Sequence, residues 1–265
     1  MKKVSEEISE AVFPSNIYCC LCGGLIDRSR PYALCDDCIR KMHWITGRTC
    51  KSCGKALPDT FRGDTCYDCM DLRHSFTRGW SCLTYGMYER QLMMGIKYSG
   101  KGYMAVKMGD VLFDRMEMLI DNAKANNIIP FDVAIPVPIS KERLRKRGYN
   151  QSEFMAKQFV ERWIDFAGEK WAPELVRGVL VRQKKTEMLR GLNPAERRIA
   201  LNGAFGVKPG KEYRIARKSV LLIDDIYTTG TTADACSRTL IAAGCGDVYL
   251  LTLCSGGNRK PEDTA

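Results

Sequence analysis

The sequence predicts an α/β protein whose mostly parallel sheet is covered by helices, preceded by a small cysteine-rich module that binds metal. Two observations carry this prediction. From residue 76 onward, short apolar segments of strand character alternate with helical patterns, an order typical of a parallel sheet with helices on both faces. Before residue 70 lie nine of the 13 cysteines, eight of them arranged as four Cys-x2-Cys pairs.

The eight paired cysteines form an internal repeat. The spacing Cys-x2-Cys-x12-Cys-x2-Cys occurs twice, and the second copy lies 31 residues after the first. Two Cys-x2-Cys turns supply the four thiolates of a tetrahedral structural site, so we expect about two Zn2+ ions per chain. A cross-braced grouping, in which the first and third pairs share one ion, is the alternative to sequential grouping. Sequential grouping gives the ligand sets Cys19, Cys22, Cys35, Cys38 and Cys50, Cys53, Cys66, Cys69.

A disulfide framework is the competing interpretation of these cysteines, and the rest of the sequence disfavours it. The first 18 residues contain three glutamates and lack the apolar core of a signal peptide. No run approaches the ~18 apolar residues of a membrane helix. We therefore expect a cytoplasmic protein with reduced thiols and no membrane insertion. His43 and His74 are expected beside the metal sites or at the surface, and the isolated cysteines in the core (Cys82, Cys236, Cys245, Cys254).

The later elements follow in strand–helix order. We divide the chain into an extension (1–18), a cysteine module (19–75), an α/β domain (76–255) and a flexible tail (256–265). Apolar runs predict the strands and amphipathic periodicity predicts the helices. The predicted strands are 80–85, 131–137, 174–182, 203–207, 219–224 and 247–254. The predicted helices are one that starts at Arg90, then 103–125, 151–166 and 230–243.

The segment VLLIDDIYTTGTT, residues 220–232, carries the clearest chemical signal. Its apolar strand leads to two carboxylates, Asp224 and Asp225, and then to a loop that opens a helix. Free N–H groups at a helix N-terminus favour an anion, and glycine lets the backbone approach it. An ordinary strand, cap and helix is the plain alternative, and a P-loop is excluded because Gly-Lys-[Ser/Thr] is missing. The loop residues predicted to hold the anion are Thr228, Thr229, Gly230, Thr231 and Thr232.

These motifs resemble a known family. VLLIDDIYTTGTT looks like the phosphoribosyl-pyrophosphate signature of type I phosphoribosyltransferases. Together with the cysteine module it resembles the ComF family, a bacterial group associated with competence and DNA uptake. IKYSGKG (96–102) and PVPISKERLRKRGYNQSEFMA (136–156) are similar to family segments, with Tyr149 where the family has Phe. TEMLRGLNPAERRIALNGAF (186–205) resembles the mobile loop and following strand, but it has Leu189 for Gln and Ala200 for Asn.

The resemblance implies a type I phosphoribosyltransferase fold that binds phosphoribosyl pyrophosphate with Mg2+. Asp224 and Asp225, the predicted catalytic pair, would hold the ribose hydroxyls, and the threonine loop would hold the 5′-phosphate. A basic segment after a strand end would neutralise the pyrophosphate through Lys141, Arg143 and Arg147. A solvated basic helix end is the alternative interpretation of that segment.

Three functions are compatible with these motifs. The first is a cytosolic DNA-handling factor of ComF type, with single-stranded DNA and DNA-uptake proteins as partners. The second is an active phosphoribosyltransferase that transfers ribose 5-phosphate to a nitrogen acceptor. The third is a docking adaptor with a vestigial pocket, which the intact motif disfavours. The charge of +10 supports an anionic partner, since residues 83–265 contain 29 basic and 21 acidic residues.

Overall fold

The computed structural model describes residues 17–122, 131–184 and 194–258. Its helices are α1 (Asp36–Lys41), α2 (Tyr67–Asp71), α3 (Met87–Tyr98), α4 (Gly102–Asn122), α5 (Lys141–Arg147), α6 (Gln151–Ala167), α7 (Pro194–Leu201) and α8 (Thr231–Ala242). Its strands are β1 (Arg78–Thr84), β2 (Val133–Pro136), β3 (Glu174–Leu175), β4 (Leu180–Arg182), β5 (Phe205–Val207), β6 (Val220–Tyr227) and β7 (Val248–Ser255). Short 3-10 helices cover Pro31–Ala33, Glu169–Trp171 and Glu212–Arg214.

Five strands form one sheet in the order β1-β7-β6-β2-β3, and every pairing between neighbours is parallel. The chain leaves β2 towards β3 on one side and leaves β6 towards β7 on the other. Neighbouring strands whose connections run in opposite directions define a topological switch point, where open α/β sheets bind their ligands. The predicted α/β fold with a parallel sheet flanked by helices is confirmed.

The sheet separates two hydrophobic cores because side chains alternate between its faces. Leu221 and Ile223 of β6 pack in one core with α3, α4 and α6, around Phe113 and Phe159. The intervening residue Leu222 packs in the other core with α8 and with the antiparallel β4–β5 pair. Helix α6, the longer helix after β2, and helix α8, which follows β6, therefore cover opposite faces of the sheet.

The cysteine module attaches to both cores. Cys19 and Cys38 belong to the core beside α4, whereas Cys53 and Cys66 belong to the core beside α8. Between the two halves, the chain at 43–45 lies along β1, where the Ile45 amide donates to the Cys82 carbonyl at 2.9 Å and the Thr84 amide donates to the His43 carbonyl at 2.8 Å. This segment covers what would otherwise be an open sheet edge.

Four features of the elements differ from the prediction. The single strand predicted over 174–182 is wrong: β3 joins the large sheet, and Gly178 with φ +66° turns the chain into β4, which pairs with β5. The basic segment after β2 forms a helix of its own, α5, and the polar stretch before residue 200 contains α7. Strand β6 continues beyond Asp224 to Tyr227, because β7 extends far enough to pair with Tyr227 through Ser255.

Some predictions concern parts of the chain outside the described residues. These are residues 1–16 of the extension, 123–125 at the end of a predicted helix, 186–193 of the predicted mobile loop with Leu189, and 259–265 of the predicted tail. Within the described residues, no helix combines the length and the apolar character needed to cross a bilayer.

Candidate ligand site and metal sites

A cavity of about 490 Å³ opens at the switch point between the carboxyl ends of β2 and β6. The loop after β2 borders it through Val137, Pro138 and Ile139, and the segment 224–233 borders it from β6 and the start of α8. All the loop residues predicted for the anion, from Thr228 to Thr232, line this cavity together with Asp224 and Asp225. The predicted segment from Asp224 to Thr232 therefore lines one side of this cavity.

The threonine loop has the geometry of an anion cradle. Gly230 has φ +78° and serves as the N-cap of α8, a conformation that residues with a side chain rarely adopt. The hydroxyls of Thr229 and Thr231 lie 2.8 Å apart and share a hydrogen bond. Because α8 is a 12-residue helix, its free N-terminal N–H groups and its dipole favour a negative group at this loop.

The two carboxylates differ in their partners. Asp225 accepts hydrogen bonds from the Lys97 ammonium at 2.7 Å and from the Gln151 amide at 2.8 Å. Asp224 accepts from the Ser152 hydroxyl at 3.2 Å and from the backbone amide of Asp225 at 2.8 Å. Gln151 and Ser152 begin α6, so the first turn of that helix holds both carboxylates in place.

These environments shift the pKa values of the two carboxyl groups in opposite directions. Burial, and then the charge of Asp225, raises the pKa of Asp224 from 3.8 to about 7. Burial also disfavours the ionised form of Asp225, but the Lys97 ammonium and the Gln151 amide outweigh it and hold the pKa of Asp225 below its ordinary value. The site therefore contains one firmly ionised carboxylate and one that gains a proton near neutral pH.

Four cationic side chains line the cavity: Lys97, Arg143, Arg147 and Arg182. Arg143 and Arg147 lie one turn apart on α5, which begins after Ser140, whose hydroxyl accepts from the Arg143 amide at 3.2 Å, and ends before Gly148 with φ +81°. Burial and the nearby charge of Arg143 lower the pKa of Arg182. Like charges held this close favour an anionic ligand between them.

Lys141, predicted from the sequence for the same group, is exposed and is not among the residues that line the cavity. It lies in the first turn of α5, whereas Arg143 and Arg147 share the face of that helix that borders the cavity. The predicted trio is therefore divided, and two of its members reach the site.

The eight paired cysteines form two groups of four, in the sequential sets predicted above. Within each group the sulfur atoms all lie within 4.8 Å of one another. Sulfur pairs are 3.8 Å apart for Cys22 and Cys35 and 3.6 Å apart for Cys53 and Cys66. Tetrahedral zinc with Zn–S bonds of ~2.3 Å places its sulfurs about 3.8 Å apart, so both groups fit zinc. All 13 cysteines are free thiols, so the disulfide interpretation is wrong.

Sequence reasoning missed several site residues. Gln151 and Ser152 lie in a segment that the sequence connects only with the family resemblance, and no motif surrounds Arg182. The sequence assigns no role to Lys97, because its partner Asp225 is 128 positions away. His74, expected beside the metal sites or at the surface, is buried next to the threonine loop with 1% of its side chain exposed, and its partners are Asp234 and Tyr227. A basic residue placed before a glycine-rich turn, as in IKYSGKG, was the available signal for Lys97.

Comparisons with known proteins agree with this architecture. A family model described as a double zinc ribbon domain matches residues 8–70. Competence protein F of Haemophilus influenzae is 26% identical over 239 residues, which are 89% of this chain and 95% of that protein. Competence protein ComFC of Streptococcus pneumoniae is 26% identical over 86% of this chain and 90% of its own length. DNA utilization protein YhgH of Escherichia coli O6:H1 is 26% identical over 84% and 90%.

Among solved structures, a hypoxanthine phosphoribosyltransferase of Staphylococcus aureus aligns with a TM-score of 0.32 and 15% identity, over 58% of this chain and 64% of that chain, slightly less than two thirds of its length.

Ribbon, sheet and loop together define a class of protein. It joins two four-cysteine zinc ribbons to an α/β domain with a five-stranded parallel sheet. The alignments with the curated relatives cover 90–95% of those proteins' lengths. These findings bear out the resemblance to the ComF family that the motifs predict.

Proposed function

We propose that this protein binds phosphoribosyl pyrophosphate with Mg2+ in the cavity between β2 and β6, and that it acts in the cytoplasm in DNA uptake during natural competence. One observation carries the ligand assignment: a threonine loop, a carboxylate pair and four cationic side chains converge on one switch point. The names of its relatives, two competence proteins and a DNA utilization protein, support the role in DNA uptake.

Each part of the proposed ligand has a chemically matched group. The 5′-phosphate is assigned to the loop from Thr228 to Thr232 at the N-terminus of α8. Asp224 and Asp225 accept hydrogen bonds from the ribose hydroxyls, and Arg143 and Arg147 neutralise the pyrophosphate. Carboxylate oxygens are donors that Mg2+ prefers, so the same pair together with ligand oxygens would hold the ion, which supplies further neutralisation of the pyrophosphate.

Calorimetric titration tests this assignment with two probes, phosphoribosyl pyrophosphate with Mg2+ and ribose 5-phosphate. Thr231→Val should weaken binding of both probes, because both carry the 5′-phosphate. Arg143→Gln should weaken only phosphoribosyl pyrophosphate, because ribose 5-phosphate lacks the pyrophosphate. Loss of one charge-assisted hydrogen bond corresponds to about 10- to 100-fold in affinity.

Two matched variants control for general effects of charge. Arg145→Gln makes the same change on α5 at an exposed position that does not border the cavity. Asp224→Asn should weaken both probes, because both carry the ribose hydroxyls assigned to this carboxylate, and Asp165→Asn is its control at an exposed position near the end of α6. Both controls should bind like the wild type. Absence of phosphoribosyl pyrophosphate binding by the wild type, or equal losses in Arg143→Gln and Arg145→Gln, contradicts the proposal.

Handling of single-stranded DNA has support beside the cavity. Tyr98 at the end of α3 is 57% exposed, and the Arg147 guanidinium lies 5.5 Å from its ring centroid. Lys141, Arg145 and Lys146 are exposed on the neighbouring α5. Aromatic rings that stack with bases, next to cations that meet phosphates, are what single-stranded nucleic acid requires.

Fluorescence anisotropy with a labelled single-stranded oligonucleotide tests this second ligand at two salt concentrations. We expect binding that weakens at high salt, and a further loss in Tyr98→Ala. Tyr213→Ala is the matched control, because Tyr213 is 71% exposed but lies in a separate 3-10 helix. Salt-insensitive binding, or identical behaviour of the two tyrosine variants, counts against DNA handling at this surface.

Transfer of ribose 5-phosphate to a nitrogen acceptor is the second candidate function. The observation that favours it is the apolar border of the cavity at Val137, Pro138 and Ile139, which suits a flat ring next to the ribose. Release of pyrophosphate on addition of candidate nitrogen bases would identify the enzyme. A protein that binds the ligand and releases no pyrophosphate with any of them is a binding protein instead.

A further inference from the structure

Two buried aromatic side chains connect the second four-cysteine site to the phosphate loop. Tyr227 is the last residue of β6, directly before the loop, and is 3% exposed. It packs in the same core as Cys53, and its hydroxyl lies 2.9 Å from Nε2 of His74. A phenol hydroxyl can donate a hydrogen bond to a neutral imidazole nitrogen, so the tyrosine links the core around Cys53 to His74.

His74 continues the connection into helix α8. Its Nδ1 atom donates to a carboxylate oxygen of Asp234 at 2.9 Å, and the backbone amide of Ser75 donates to the other oxygen at 2.8 Å. Asp234 lies in the first turn of α8, where its own amide donates to the Gly230 carbonyl at 2.8 Å. The imidazole stacks on Phe76 at 4.6 Å between ring centroids, which fixes its plane.

The loop itself rests on these two side chains. A Cβ atom at Gly230 would lie 2.7 Å from both the His74 ring and the Tyr227 hydroxyl. The φ of +78° at this residue and the position of its carbonyl therefore depend on where the two rings stand. Any displacement of Tyr227 moves the residue that begins the anion cradle.

The cysteine site is rigidly seated on the same side of the sheet. A Cβ at Gly54, directly after Cys53, would lie 2.5 Å from the Gly79 carbonyl oxygen, so the knuckle and β1 touch backbone to backbone. Lys55 is 3% exposed, forms an ion pair with Asp68 and places its ammonium 5.5 Å from the Tyr227 ring centroid. Lys55, together with Cys53 in the shared core, therefore places the knuckle next to Tyr227.

The first four-cysteine site lacks this arrangement among the described residues. It packs in the core beside α4, on the opposite face of the sheet, where the Tyr32 hydroxyl donates to Asp114 at 2.6 Å. The two ribbons are repeats in sequence, but they pack against different parts of the α/β domain. Equivalent changes in the first ribbon can therefore serve as controls for changes in the second.

We infer that the second four-cysteine site is a structural component of the phosphate site, and that Tyr227 and His74 are positioning residues through which its bound metal fixes the loop from Thr228 to Thr232. Loss of metal from the second site loosens the loop, whereas loss of metal from the first site leaves the loop in place. The consequence for ligand affinity rests on the phosphate assignment proposed above. The effect of the second four-cysteine site on the position of the loop does not depend on that assignment.

Amide hydrogen exchange tests the connection without any ligand. Tyr227→Phe keeps the ring and removes the hydroxyl, and it should raise exchange in segment 228–234 by about fivefold, the effect of one lost hydrogen bond. Tyr32→Phe makes the same change beside the first site and should leave that segment at the wild-type rate. Exchange in segment 131–137, which contains β2, reports whether the fold as a whole has weakened.

Metal-site variants at equivalent repeat positions complete the test. Cys69→Ser and Cys38→Ser alter cysteines 31 residues apart in the repeat, and each should lower zinc to about one ion per chain. Only Cys69→Ser should raise exchange in 228–234. If it fails to fold, Tyr227→Phe decides alone. Wild-type exchange in Tyr227→Phe, or an equal rise in the two tyrosine variants, overturns the inference.

Titration with ribose 5-phosphate separates this inference from the proposed function. Tyr227→Phe should weaken that probe by about the factor seen in exchange, and Tyr32→Phe should not. A wild type that binds no ribose 5-phosphate refutes the phosphate assignment, while the exchange results still decide whether the second site supports the loop.

Discussion

Asp224→Asn should stabilise the free protein at neutral pH. Burial, together with the charge of Asp225, raises the pKa of Asp224 from 3.8 to about 7. A folded-state pKa above the unfolded value means that the unfolded chain ionises more readily, so this carboxyl lowers stability as pH rises from 4 towards 7. At about 1.4 kcal/mol per pKa unit, the ceiling of this destabilisation is about 4 kcal/mol above pH 7.

Asparagine removes the charge with little other change. Its side-chain oxygen can accept the same hydrogen bonds from the Ser152 hydroxyl and the Asp225 amide, which are 3.2 and 2.8 Å long. Two effects keep the gain below that ceiling: the same hydrogen bonds are stronger to an ionised carboxylate, and Asp224 is partly exposed to solvent. We therefore expect a net gain of about 1–3 kcal/mol in the free energy of unfolding at pH 8.

Asp225→Asn is the matched variant with the opposite sign. It leaves the Lys97 ammonium, with 18% of its side chain exposed, without the carboxylate that now lies 2.7 Å away. An unpaired buried charge is strongly destabilising, although Asp224 can ionise and offset part of the effect. We expect a loss of about 1–3 kcal/mol at pH 8.

Urea denaturation at pH 8 and pH 5, with Asp165→Asn as the exposed control, measures both effects. The gain in Asp224→Asn should be full at pH 8 and smaller at pH 5, because the folded wild type then holds the proton itself. Destabilisation by Asp224→Asn at pH 8, or a gain that does not shrink at pH 5, would refute the assignment of charges to the pair.

Three further outcomes follow from the geometry. Metal analysis should find about two Zn2+ per chain, and Cys22→Ser, in the first site, should lower the value to about one. Gly109→Ala should lower the free energy of unfolding in urea denaturation by about 1–3 kcal/mol, since its Cβ would lie 2.4 Å from the Gln158 Cβ where α4 meets α6. Lys97→Met should raise the pKa of Asp225, detectable by NMR titration of that carboxyl, because burial then acts without the ammonium.

Features set by short-range patterns were predictable from the sequence. Zinc ligands recur at a fixed spacing, and the strand, the Asp-Asp pair and the threonine loop are adjacent in the sequence. The paired cysteines between Cys19 and Cys69 and the residues 224–232 can therefore be identified without knowledge of the fold. The order of the strands was not predictable, because parallel pairing depends on contacts between distant segments. The switch point between β2 and β6 therefore became visible only in the structure.

The same limit explains the errors. The apolar and charged alternation over 174–182 reads as one strand, and only the left-handed turn at Gly178 divides it between two sheets. The partner of Asp225 lies on α3, and a lysine on a helix face is more often solvated than buried. The sequence predicts His74 beside a metal site or at the surface, and its contact with helix α8 could not be predicted because Asp234 comes 160 residues later.

The carboxylate pair shows why this site needs so much surrounding structure. Asp224 is destabilising in the free protein, and Asp225 is held ionised by Lys97 and Gln151, which come from two different helices, with the charge of Arg147 adding to their effect. Gly230 adds a conformation that other residues rarely adopt. Such groups persist where neighbouring elements over-determine them, and here α6 holds the carboxylates while the second ribbon and His74 hold the loop. The cysteine module is therefore part of what makes the cavity possible.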